Sequence, residues 1–178
     1  MEIERKFLLN SLPENFESYD RWDMEQGYLL NDGCTLRIRK ANDDCFLTLK
    51  QNKPLQIGNV AIENEEFETE IPQESYEALK RLAIGDFIEK SRTRIPYLDN
   101  HVIEVDVFHG KLSGLVFAEI EYTDEQDALL LPIPTWFSKD VSMDSRFRNS
   151  NLRNMKEEEI EHFLEEIEET ALVLRDKD

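Results

Sequence analysis

The sequence predicts a mainly β domain of the α+β kind, a sheet closed or nearly closed on itself with helices packed outside it. Three observations lead there. Eight short segments alternate in polarity with the two-residue period of a strand. Turn residues separate them, and no repeat, low-complexity tract or Gly/Pro/Ser-rich linker divides the 178-residue chain. Three other segments carry helical periodicity. A chain of this length is one ordinary domain with room for a real core.

The first strand is expected at 1–9, with Glu2, Glu4 and Lys6 on one face and Ile3, Arg5 and Phe7 on the other. A short helix follows from Leu12 to Tyr19. Strands come next at 21–30, 34–40 and 45–50, the last two joined by a hairpin loop at Asn42-Asp43-Asp44. A four-residue loop there sets Arg37 opposite Thr48 and Thr35 opposite Lys50, which puts their charges on one side of the sheet. A strand at 63–71 leads to a helix from Gln73 to Ala83, and strands at 86–95, 101–108 and 115–123 complete the sheet. Trp136 and Phe137, after Pro132 and Pro134, read as a packed corner near the barrel mouth. The last helix, Met155 to Leu174, carries Ile160, Phe163, Leu164, Ile167, Ala171 and Leu174 as one apolar stripe. Its glutamates from Glu157 to Glu169 read as a solvated face.

Composition narrows the function classes. Hydrophobic residues make up 40% and charged residues 34%, a globular balance. No apolar run reaches the length of a membrane helix, and the charged start (Glu2, Glu4, Arg5, Lys6) predicts no signal peptide, so a cytoplasmic protein is expected. Cys34 and Cys45 match no zinc spacing and read as free thiols in a reducing compartment. The net charge of −18 disfavours nucleic acid and membrane as partners. It would also repel a polyphosphate, unless basic residues are concentrated locally or cations bridge the two.

The strand faces supply that concentration. Arg37 and Arg39 share one face, Thr48 and Lys50 another, and Lys90, Arg92 and Arg94 a third, with Ile88 intruding. Glu66, Glu68 and Glu70 form an acidic face, as do Glu104 with Asp106, and Glu119 with Glu121. A solvated face would explain any one of these strands. Taken together they are almost purely charged and often of one sign, which costs energy unless an opposite charge sits between them. A charged interior is therefore favoured. There, arginine and lysine would hold phosphate oxygens, and paired carboxylates would hold Mg2+ or Mn2+.

Glu2-Ile3-Glu4-Arg5-Lys6-Phe7 resembles the Glu-x-Glu-x-Lys signature of the CYTH family, the triphosphate tunnel metalloenzymes. Further matches follow in family order: Gly27-Tyr28-Leu29, Leu36-Arg37-Ile38-Arg39, Leu47-Thr48-Leu49-Lys50 and Glu66-Phe67-Glu68-Thr69-Glu70-Ile71. They continue through Glu89-Lys90-Ser91-Arg92, Glu104-Val105-Asp106-Val107-Phe108, Leu115 to Glu121, and Asp144-Ser145-Arg146-Phe147-Arg148-Asn149. The resemblance runs from residue 1 to about 152 and implies an eight-stranded antiparallel closed β-barrel whose interior is a tunnel.

The resemblance also implies roles. Arg37, Arg39, Lys50, Lys90 and Arg92 would hold phosphate, with Lys6 beside them and Arg146 at a terminal phosphate. Glu119 and Glu121 would bind one divalent metal, Mg2+ or Mn2+. Glu2 and Glu4, with Glu68, would bind a second metal or the attacking water, so that two metals serve each site. Tyr28, Glu66, Asp106 and Asp144 are further candidates, Tyr28 being equally well explained by packing. His101 and His109, at the ends of one strand, read as exposed turn residues. Thr93 stands where many members have an aromatic, so packing there is expected to differ.

The implied partner is a small-molecule triphosphate, inorganic tripolyphosphate first, cleaved to pyrophosphate and phosphate. Two relatives keep other readings open: class IV adenylate cyclases, which make cyclic AMP from ATP, and thiamine triphosphatases. A non-catalytic polyphosphate- or nucleotide-binding module would need mainly the basic half, so the paired glutamates argue against it. The resemblance is compatible with a homodimer.

Overall fold

Period-two alternation holds along the wall strands except at a bulge around Tyr28, and the hydrogen-bonded ladder built from it is antiparallel throughout. The structure, a computed structural model, describes residues 2–51, 55–57 and 61–175. The strands are β1 (Glu2–Leu9), β2 (Arg21–Asp32), β3 (Cys34–Ala41), β4 (Asp44–Gln51), β5 (Leu55–Ile57), β6 (Ala61–Asn64), β7 (Glu66–Glu70), β8 (Ile84–Pro96), β9 (Val102–Phe108), β10 (Val116–Tyr122) and β11 (Phe137–Asp140). Their order is β5-β6-β1-β10-β9-β8-β2-β3-β4-β7, with β11 also on β1.

The expected strand at 63–71 is thus two strands. Its first part, in β6, pairs with β1, with Glu2 opposite Asn64, while β7 pairs with β4, with Lys50 opposite Glu66. Among the described residues the ladder is therefore not closed by hydrogen bonds. Its two arms are instead consecutive in the chain through Glu65, a step of at most about 7 Å. Counted as one element that changes partner at this seam, β6 and β7 restore the eight strands of the expected ring. β5 and β11 are additions to it.

The β3–β4 hairpin has the expected register, Arg37 opposite Thr48 and Thr35 opposite Lys50. Pairing continues to Ala41 opposite Asp44, so only Asn42 and Asp43 turn the chain. Asn42 takes the left-handed φ of 52° that such a tight turn requires and that Asn tolerates. Its side-chain oxygen accepts from the Asp23 amide at 3.0 Å, which ties the turn to β2.

The described helices are α1 (Gln73–Lys80), α2 (Glu125–Leu130), α3 (Asn149–Leu152) and α4 (Glu157–Glu168). The helix expected from Leu12 to Tyr19 is a single 3-10 turn at Phe16–Ser18. Asn15, left-handed at φ 58°, interrupts it, and the segment is too short to repay helix nucleation. The helix expected to reach Leu174 stops at Glu168. Beyond it the Leu172 amide donates to the Leu9 carbonyl at 2.7 Å and the Leu174 amide to Gly114 at 2.9 Å, so their backbone serves the sheet instead. α2 and α3 carried too little periodicity to be expected. α2 is set by Asp124, whose carboxylate accepts from the Asp127 amide at 2.8 Å.

Three apolar clusters build the core. Phe7, Ile103, Val105, Val116, Ala118 and Ile120 lie on the outer faces of their strands, beneath α2 and the Trp136-Phe137 corner. Phe137 stacks on Phe7 at 4.7 Å, as the packed-corner reading expects. α1 covers Ile38 and Cys45 on the outside of β3 and β4. The third cluster departs from the expectation that every helix packs outside. Leu8, Ile88, Phe108 and Phe117 follow the inward parity of Lys6, Lys90, Asp106 and Glu119, and α4 packs on them with Phe147. Ile88 is therefore no intruder. It belongs to an apolar layer that caps one end of the interior. No helix among the described residues is long and apolar enough to cross a membrane.

Phe163, 4% exposed at the centre of that cap, carries much of its burial. Phe163→Ala should cost about 3–5 kcal/mol of stability, the range for truncating a buried aromatic, read as a lowered urea midpoint at unchanged slope.

Candidate functional site

Beyond the apolar cap, the same inward positions turn polar and line a cavity of about 1080 Å³. Strand register decides who meets whom. On β1 and β10, Glu4 stands opposite Glu121 and Lys6 opposite Glu119. Across β8 and β9, Arg92 stands opposite Asp106 and Arg94 opposite Glu104. On the facing wall, Thr48 of β4 lies between Arg37 of β3 and Glu68 of β7.

Asp106 is the base of this arrangement. It is fully buried behind the cavity wall and holds Lys90 at 2.5 Å and Arg92 through two bonds of 2.7 Å. Burial alone would raise its pKa, but Arg92 and then Lys90 outweigh that and hold its carboxyl below the usual range. Burial has the opposite consequence for Lys90, pushing its pKa down to about 8 even though Asp106 favours the charged form. Arg92 also reaches Glu119 at 2.8 Å and bonds Glu104. Glu119 takes Lys6 at 2.9 Å. Against the penalty of burial, Lys6 and Arg92 hold the Glu119 carboxyl well below its ordinary value.

On the opposite wall, Glu68 accepts from Arg39 at 2.9 Å with both oxygens and from Thr48 at 2.7 Å. Glu66 lies 3.4 Å from Arg37 and 3.2 Å from Lys50. Arg37 and Arg39 both line the cavity, yet their Nε atoms are buried without an acceptor among the described residues. Such orphaned donors are rare and need explaining. An anion in the cavity is the chemistry they fit.

Matching the CYTH domain family to the sequence covers residues 1–134. The chain belongs to the CYTH family. Inorganic triphosphatases of Nitrosomonas europaea and Acetivibrio thermocellus are similar to it along most of their length. The first is 33% identical over 153 residues, 85% of this chain and 95% of that protein. The second is 35% identical over 164 residues, 88% of this chain and 98% of that protein. The crystal structure of an inorganic triphosphatase superposes with a TM-score of 0.64 at 32% identity, covering 88% of this chain and 96% of that one.

Of the residues the CYTH resemblance points to, the cavity wall includes Glu4, Lys6, Tyr28, Arg37, Arg39 and Lys50. It also includes Glu66, Glu68, Lys90, Arg92, Glu119, Glu121 and Asp144. The Glu2 side chain lies outside the described residues. Asp106 stands behind the wall rather than in it. Arg146 is turned away, held by Asp144 at 2.7 Å and by Glu166 of α4 at 2.8 Å. Arg148, two residues on, lines the cavity in its place. Strand parity would have kept the two arginines on one face; the 3-10 turn at Ser145–Phe147 breaks it and separates them. Tyr28 faces the cavity and is packed as well, accepting from Gln26 at 2.9 Å beneath the Arg153 guanidinium.

Sequence reasoning left out Arg94, Glu104, Trp22, Gln26 and His101, all in the wall. Arg94 and Glu104 were visible as members of charged faces. Trp22 and Gln26 share one face with Met24 and Tyr28, a pattern that reads as ordinary core. His101 is not an exposed turn residue: its side chain is 6% exposed, with Nε2 2.7 Å from Asp127. His109 is exposed, 2.6 Å from the Ser91 hydroxyl.

The carboxylates suit a divalent cation in type. Glu4 and Glu121 are like charges directly opposite each other, with Glu119 two residues along on the same face. A cation between them would relieve that like-charge pairing, and carboxylate oxygens are what Mg2+ and Mn2+ prefer. Among the described residues no three such groups are gathered in ligating geometry. Glu119 is meanwhile held by Lys6 and Arg92.

Removing the Asp106 charge strips buried Lys90 of its carboxylate partner and leaves buried Arg92 to Glu104 and Glu119, so Asp106→Asn should destabilise the fold by about 3–5 kcal/mol at neutral pH. Its folded pKa is depressed, so its contribution is complete above the unfolded value of about 3.9 and fades as pH falls through the lower folded one. Urea titrations of both proteins between neutral and acidic pH should show the gap narrowing only at the acid end.

Proposed function

We propose that the chain is a triphosphatase that cleaves inorganic tripolyphosphate to pyrophosphate and phosphate with the help of Mg2+ or Mn2+. The observation that carries this reading is the pair of buried, acceptorless Nε donors of Arg37 and Arg39 in the wall of a charged cavity. The relatives named as inorganic triphosphatases support it.

Phosphoanhydride hydrolysis depends on positioning and charge neutralisation more than on covalent chemistry. Arg37, Arg39 and Lys50 would take phosphate oxygens from one wall and Lys6, Lys90 and Arg92 from the other, fixing the chain between them. Arginine's planar fork suits the bidentate grip. Asp106 keeps the Arg92 guanidinium oriented from behind. Glu119 and Glu121 would hold the divalent ion with Glu4, and Glu2 and Glu68 would complete a second site. Such an ion, when bound, neutralises phosphate charge and lowers the pKa of nearby water. Glu4 would accept a hydrogen bond from the attacking water and aim it at the terminal phosphorus. The water oxygen forms the new P–O bond as its proton passes by way of Glu4 to solvent, the bridging P–O bond breaks, and pyrophosphate leaves with its electron pair.

A phosphate-release panel on tripolyphosphate, ATP and thiamine triphosphate with Mg2+ or Mn2+, with cyclic AMP measured in parallel, tests the assignment. Release from tripolyphosphate should be far faster than from ATP. Cyclic AMP without free phosphate would replace hydrolysis by cyclisation on the same fold. Glu4→Gln should lower kcat at least ~100-fold, the scale of losing one strong electrostatic contributor, and an unchanged rate would remove Glu4 from the reaction.

A further inference from the structure

The cations assigned to phosphate are already engaged by carboxylates, and those on one strand are the easiest to displace. Glu66 bridges Lys50 and Arg37, and Glu68 holds Arg39. Both project from β7, which among the described residues ends the ladder and pairs only with β4. Its outward side anchors it little: Phe67 is 67% exposed, opposite Leu49, itself 46% exposed. Inward side chains two residues apart on a strand repeat about every 7 Å. Glu66 and Glu68 therefore present Arg37, Arg39 and Lys50 with a short row of negative charge, as a condensed phosphate would.

We propose that Glu66 and Glu68 act as an internal competitor for the anion cradle and so set the shortest phosphate chain the tunnel retains. The proposal rests on the triphosphate reading above. A triphosphate that also reaches Lys90 and Arg92 engages both walls at once and displaces the β7 carboxylates from their cations. Pyrophosphate or phosphate touches fewer cations and loses to carboxylates tethered beside them at high effective concentration. The same competition clears the products: once the chain is cut, Glu66 and Glu68 recover Arg37, Arg39 and Lys50. Selectivity here comes from an element that opposes the wrong ligand as well as from contacts to the right one.

Calorimetric titration of the full chain with pyrophosphate and with tripolyphosphate, in EDTA, tests this without turnover. Glu66→Gln keeps the shape and removes the competing charge. Glu70→Gln removes the same charge from the same strand, but outside the cavity wall. Pyrophosphate should bind Glu66→Gln at least about tenfold more tightly than wild type, a gain of about 1.4 kcal/mol. The change in Glu70→Gln should stay within about twofold, since exposed charge is screened. Unchanged or weaker pyrophosphate binding in Glu66→Gln overturns the proposal, as does equal tightening in Glu70→Gln, which would make the effect one of net charge. Glu68→Gln, held to the same criterion, decides the matter if Glu66→Gln does not fold. Tripolyphosphate turnover by wild type without tighter pyrophosphate binding in the variant sinks only the competitor. Absence of turnover on every triphosphate sinks the reading beneath it.

Discussion

The structure depends on one constraint: each charge that strand alternation buries on the inner face must meet an opposite charge across the cavity or behind its wall. A buried charge without a partner costs several kcal/mol, whereas a paired one can be close to neutral. Asp106 is the deepest case, since it stands behind the wall and satisfies two cations at once. Through Arg92 the same network extends to Glu104, Glu119 and Lys6, three more positions of the wall. Folding therefore assembles the cationic surface already compensated. A ligand entering it exchanges one set of partners for another, and little new charge has to be desolvated.

The inner face also changes character along its length. Leu8, Ile88, Phe108 and Phe117 continue the rows of Lys6, Lys90, Asp106 and Glu119, so one set of strands builds both a charged cavity and an apolar plug. α4 closes over the plug, which leaves its glutamates facing solvent. Lys6 sits at the boundary, with its ammonium 4.6 Å from the Phe117 ring and bonded to the Phe147 carbonyl at 2.9 Å. The low polarity on that side strengthens its pairing with Glu119.

Much of this was legible because strand parity is a strict rule. Alternation alone located the wall strands and separated inner from outer side chains, and the turn at Asn42 set the β3–β4 register. What could not be read depended on contacts distant in sequence. Nothing in the order Glu63 to Ile71 tells that its neighbour changes from β1 to β4 at Glu65. The end of α4 was misjudged because Ala171 and Leu174 kept the helical period while Leu172 and Leu174 gave their amides to Leu9 and Gly114. In the site, charge type was visible but depth was not. Asp106 and Glu104 look alike on one strand face, yet only Asp106 is fully buried. Arg146 and Arg148 were likewise indistinguishable until a 3-10 turn and Glu166 drew one of them away.

The inward turn of the basic side chains bears on how a substrate arrives. With a net charge of −18 and the glutamates of α4 facing outward, a polyanion at a distance meets a repulsive field and feels the arginines only once inside. Encounter is then slowed where screening is weak, the reverse of the electrostatic steering that speeds many enzymes. Salt, or a divalent ion already riding on the phosphate chain, would lower that outer barrier before any contact forms. Capture in such a molecule is a kinetic filter placed ahead of the binding site, one that favours guests arriving with their charge partly masked.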